Sequence, residues 1–163
     1  MLHGAPQFLI ALEQSALGAA IRQSVWAYPT ANVGHILALT LFAGSVAMMD
    51  ARLLGAFAAA PPAAIVRPAR RMAIAALALM AATGFMLFTA EASHVALNRV
   101  FQIKAGLIAL GITNALLVAK PLDRALEETP AFAPLPGRVR LAGGISVAIW
   151  VSVAACGRLI AYF

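Results

Sequence analysis

Residues 29–57 read PTANVGHILALTLFAGSVAMMDARLLGAF, and no charged side chain falls between Arg22 and Asp50. A helix needs about 20 consecutive apolar residues to cross the hydrocarbon core of a bilayer, and this run exceeds that. Three more stretches of spanning length follow: about Met72 to Ala92, about Val100 to Ala119 with one interior charge at Lys104, and about Leu141 to Phe163 with Arg158 near its end. The pattern predicts an all-α fold, an integral membrane four-helix bundle that occupies residues 1–163 as one transmembrane domain.

Composition agrees. Of the 163 residues, 63% are hydrophobic and 11% charged, with mean hydropathy +0.89. Soluble globular domains are about half apolar and a quarter charged, so disorder, coiled coil and a soluble fold are excluded together. The formal charge of +6 does not indicate a nucleic-acid partner, because the basic residues sit in short tracts beside the apolar runs, as membrane flanks do. The partner implied is the lipid bilayer. The one cysteine, Cys156, lies in an apolar stretch, so no internal disulfide and no CxxC site exists.

Met1 to Ile10 contains no Lys or Arg, so the basic region of a cleavable signal peptide is missing. From about 6 to 25 the sequence is amphipathic: Phe8, Leu9, Leu12, Leu17 and Ile21 recur at roughly helical spacing, with Glu13, Gln14, Arg22 and Gln23 between them. It reads as a helix lying in the membrane interface, with a short cap on the bundle as the alternative. Pro61, Pro62 and Pro68, with Arg67, Arg70 and Arg71, divide the first two spans. Asn98-Arg99 makes a tight link between the second and third, and Lys120 to Arg140 reads as the longest loop.

Orientation follows from Lys and Arg. Arg52, Arg67, Arg70, Arg71, Lys120, Arg124, Arg138 and Arg140 fall on one side, against Arg22, Arg99, Lys104 and Arg158 on the other. Eight against four places both long loops in the cytoplasm and both termini on the outer, periplasmic side of a bacterial inner membrane. Trp26 and Tyr28 suit an aromatic belt at the outer surface.

Ionisable groups within spans are costly and mark function by default. His35 lies 15 residues before Asp50, and Lys104 lies 16 before Lys120. At 1.5 Å per residue both stand roughly 22–24 Å from the cytoplasmic edge, so they should share a level in the outer half. Glu91 and His94, three residues apart, close the second span on one helix face, and the short link brings that face near Lys104. Arg158 ends the fourth span on the same side. Plainer roles stand beside these. His35 and His94 would be a hydrogen-bonded and a solvated histidine, Glu91 and Lys104 a structural ion pair, and Arg158 a snorkelling residue. Asn114 would join helices, while Gly84, Gly111 and Gly143 would allow close packing. Met80 and Met86 would be core filler.

The residue set limits the chemistry. No Ser/His/Asp set, paired interior carboxylates or phosphate-binding glycine loop is present. Zinc wants three or four close ligands, whereas haem needs one or two axial histidines, small residues beside the ring and cations for its propionates. His35 and His94 are therefore the candidate axial or metal ligands, and Glu91 and Arg158 the candidate groups around a haem b. Lys104 pairs with Glu91 or with a propionate.

Trp26 to Gly55 (WAYPTANVGHILALTLFAGSVAMMDARLLG) and Asn98 to Leu117 (NRVFQIKAGLIALGITNALL) resemble an uncharacterised family of small bacterial four-helix membrane proteins. His35 followed by Gly44, then Asp50-x-Arg52-Leu-Leu-Gly55, then Phe101-x-x-Lys104 carry the likeness. More distantly, a first-span His with a Lys opening the third span is similar to the four-helix, haem-containing protoporphyrinogen oxidase family and to the membrane part of the copper-resistance protein D family. The resemblance to the oxidases implies that His35 ligates iron and that Lys104 is the catalytic candidate. The chain departs from them in its extra N-terminal segment and in lacking most of their pattern elsewhere. Three classes of function stand: a b-type haem protein moving electrons to a quinone or redox partner, a copper- or metal-handling protein using His35, His94 and methionines, and an assembly subunit of a homo- or hetero-oligomer.

Overall fold

The computed structural model describes residues 6–160 and 162; Met1–Ala5 of the N-terminal stretch, and Ala161 and Phe163 of the fourth expected span, lie outside the described residues. The described residues form helices α1 (Gln7–Glu13), α2 (Ala16–Gln23), α3 (Ala27–Leu54), α4 (Pro62–Ala90), α5 (Ala92–Leu97), α6 (Arg99–Glu128) and α7 (Gly137–Leu159), with no strand among them. Helices α3, α4, α6 and α7 are each long and apolar enough to cross a membrane. Leu37, Ile74, Ile103, Leu116, Leu117, Leu141 and Val151 are exposed on them. A water-facing surface of that kind would be unstable, whereas hydrocarbon accepts it.

The long helices pack in the order α4, α3, α7, α6, with only slight contact between α4 and α6. At the loop end, Leu53, Val66, Leu122, Ala125, Leu126, Leu135 and Val139 draw all four together. Arg67–Glu127 (3.5 Å) and Arg70–Asp123 (2.8 Å) join α4 to α6 at the surface there. Midway, Phe42 meets Trp150 edge to face at 4.6 Å. Asn114 donates to the Ala142 carbonyl (3.0 Å), joining α6 to α7 as its mid-span position predicts. Gly111 is required on that seam, because a Cβ would stand 2.8 Å from the Trp150 ring.

Two boundaries differ from expectation. Pro68 lies inside α4 and Pro121 inside α6, so both helices run past the apolar stretches, and the last connection shrinks to residues 129–136. Pro62 starts α4, where a missing N–H is harmless. Pro68 and Pro121 each remove one hydrogen bond from helices whose loop-end turns are buried together.

The N-terminal segment is two helices, not one. Ser15 breaks it, accepting from the Gly18 N–H (3.2 Å) as the N-cap of α2. Both helices fold over the opposite end of the bundle, α1 against α5 and α2 against α4. Leu9 and Ile21 are buried there. Arg22 donates to the Glu13 carbonyl (2.7 Å) and the Ala90 carbonyl (3.0 Å). Glu13 accepts from the Ser93 N–H (2.9 Å) and hydroxyl. The segment is thus a cap docked on helix ends.

Candidate functional site

His35, half-buried on α3, faces α4. Its Nδ1 lies 2.9 Å from Thr83 Oγ1. The Thr83 hydroxyl has one hydrogen, and it points at the Leu79 carbonyl (2.7 Å) with that of Met80 at 3.3 Å. With its hydrogen on the Leu79 carbonyl, the hydroxyl oxygen can accept from His35 Nδ1–H, the tautomer that leaves Nε2 as a free lone pair. Gly84 lies against the ring, and a Cβ there would come within 3.1 Å of His35 Cε1.

Lys104 on α6 lies close enough to act electrostatically on His35. Its Nζ reaches α7, where it lies 3.4 Å from the position a Cβ on Gly157 would take, beside Cys156. His35, Thr83, Gly84, Lys104 and Gly157 thus bring α3, α4, α6 and α7 to one layer, two turns beyond the Phe42–Trp150 contact.

The remaining candidates lie elsewhere. Glu91 and His94 do not share a face of α4: the helix ends at Ala90, Glu91 takes φ −140°, and α5 carries His94 in a new direction. Both are exposed. His94 sits near Glu13 in the cap, and Glu91 sits near Tyr28. Among the described residues, the ion pairs do not include Glu91–Lys104. Arg158 is exposed and turns to Tyr162, donating to its Oη (2.6 Å) with the guanidinium 4.9 Å from the ring centre. Among the described residues no three His, Cys, Asp or Glu side chains gather to hold a metal ion.

This arrangement offers one imidazole and one neighbouring lysine side chain. A family model described as a family of unknown function (DUF6644) matches residues 8–163. The chain belongs to that family. No curated protein and no solved structure matches it. The match covers all four long helices, the positions of His35 and Lys104 included.

Sequence reasoning missed Thr83, which is 48 residues from His35. No local spacing links the two. Gly84 was legible only as a packing residue.

Proposed function

We propose that this chain is a b-type haem protein of the membrane with a redox role, and that His35 is the axial ligand of its iron. The observation that carries the reading is the hydrogen-bond relay from His35 Nδ1 through Thr83 to Leu79, which leaves Nε2 unprotonated. Metal-bound histidines commonly donate their other N–H in this manner. The donor set fits a haem with one protein ligand: a single free imidazole nitrogen, glycine beside the ring and a cation at the same level. His94, exposed by Glu13, is left out of the ligand set.

A bound haem supplies one-electron exchange between ferric and ferrous iron. The chain's own residues bind and orient it. Thr83 fixes the imidazole plane, Gly84 keeps the ring edge clear, and Lys104 offers its ammonium to a propionate. The electron partner is a quinone or a redox protein. The eight-to-four basic bias supports an orientation with this layer in the periplasmic half of a bacterial inner membrane and both termini outside. The similarity of His35 and Lys104 to the oxidase family supports haem more than it supports that reaction. A copper-handling reading is less favoured, because no ligand cluster gathers among the described residues.

The test is a reduced-minus-oxidised visible spectrum of the full chain purified from membranes supplied with haem. The Soret and α bands of a b-type haem are expected. A chain that stays folded, monodisperse and colourless overturns the reading and leaves the assembly-subunit class.

A further inference from the structure

Helix α7 carries an exposed ridge near its loop end. Leu141 and Ile145, one turn apart, share a face, and an apolar trough lies on each side of them. Toward α6 the trough holds about 210 Å³ against Leu117, Val118 and Pro121. Toward α3 it holds about 540 Å³ against Leu54 and runs on to Ala148. Arg138 lines the first and Arg140 the second, each at the loop end. Residues two apart on a helix point to different sides, so each trough has its own guanidinium at its head.

Gly143 and Gly144 sit side by side, and only Gly143 has a packing reason. A Cβ on Gly143 would meet Leu53 Cβ at 3.1 Å, whereas one on Gly144 would meet nothing within 4 Å. A glycine inside a helix weakens it, and at 144 no protein neighbour requires one. Its missing side chain deepens the trough toward α3, which it lines. The chain leaves the two charges unanswered. Among the described residues neither Arg138 nor Arg140 makes an ion pair, and Asp123 and Glu127 of α6 are taken by Arg70 and Arg67. Asp50 of α3 is 1% exposed, sealed inside the bundle.

We propose that the loop end of α7 binds one anionic phospholipid, its phosphate between Arg138 and Arg140 and its two acyl chains in the two troughs, astride Leu141 and Ile145. The guanidinium plane suits a phosphate, which it can hold by paired hydrogen bonds. The troughs select acyl chains, and the unpaired cations above them select an anionic headgroup. The site uses neither His35 nor haem, so it stands apart from the redox reading.

The test is thermal unfolding of the full chain in a neutral detergent, titrated with phosphatidylglycerol and, separately, with phosphatidylcholine of the same acyl chains. A ligand of the folded state raises the unfolding temperature as its concentration rises. Phosphatidylglycerol should raise it saturably at one lipid per chain, and phosphatidylcholine should not. Arg138→Gln combined with Arg140→Gln should weaken the phosphatidylglycerol Kd about 30-fold, the usual worth of two basic side chains against anionic headgroups. Gly144→Leu keeps both charges, fills one trough and should weaken binding as well. Arg71→Gln removes an exposed cation of α4 outside both troughs and should change nothing. The same response of wild type to both lipids overturns the proposal, whether or not the variants fold. So does full affinity in Gly144→Leu, or a loss in Arg71→Gln equal to that of the arginine pair, which would mark diffuse attraction to the basic end. A chain that is dimeric in detergent and indifferent to both lipids overturns it too, and makes a second copy the occupant of the troughs.

Discussion

Thr83 determines what His35 can do. A threonine that spends its only hydrogen on the Leu79 carbonyl has nothing but an acceptor to offer the imidazole. Thr83→Val keeps the shape and removes the acceptor. Haem affinity should fall by about 10- to 100-fold, the usual cost of losing such a supporting contact, while Thr83→Ser should retain it; titration of the apoprotein with haem measures both. Lys104 and Glu91 make a contrasting pair. Because Glu91 lies by Tyr28 and not by Lys104, Glu91→Gln should leave stability and haem content unchanged. Lys104→Met should weaken haem retention, measured as haem lost on dilution. Equal loss from both variants would restore the ion pair that the structure lacks. His35 and Lys104 were legible because charge within an apolar run stands out. Asp50 was not, because a carboxylate at the edge of such a run reads as a helix flank, and only the fold shows that it is sealed.

The cap is the element most open to pH. The Ser93 hydroxyl and N–H hold the Glu13 carboxyl below its ordinary value of 4.5, helped by Arg22 and His94. A carboxylate depressed by folding stabilises above its unfolded pKa, and that contribution disappears as pH falls through the folded value. The cap should therefore loosen below about pH 4.5, where the ordinary carboxylate pKa lies. Amide exchange at Ser93 should accelerate there, and Glu13→Gln should remove the pH dependence. On the α6–α7 seam, Gly111→Ala places a Cβ against Trp150 and should cost about 1–3 kcal/mol by overpacking. Asn114→Leu should cost only about 0.6 kcal/mol, as interhelical hydrogen bonds in membranes do. Thermal unfolding in detergent separates the two. Apolar length alone made these four helices legible. Their ends were not, because proline reads as a breaker, yet Pro68 and Pro121 sit in turns that tertiary burial holds helical. The break at Glu91 likewise depends on contacts from the cap, Arg22 donating to the Ala90 carbonyl and the Ser93 N–H donating to Glu13.

At the scale of the molecule, the four long helices converge at the loop end and leave the His35 layer near the capped end, with α4 and α6 barely touching. Should all four long helices cross the membrane, both termini share a side, which the proposed orientation puts outside. The central claim is that one imidazole, His35, carries the function of this bundle. The haem content of His35→Ala and His94→Ala, purified beside wild type and measured per chain after extraction, tests it most directly. The account predicts a folded, haem-free His35→Ala and a His94→Ala indistinguishable from wild type. Haem retained in His35→Ala, or lost in His94→Ala, would contradict it.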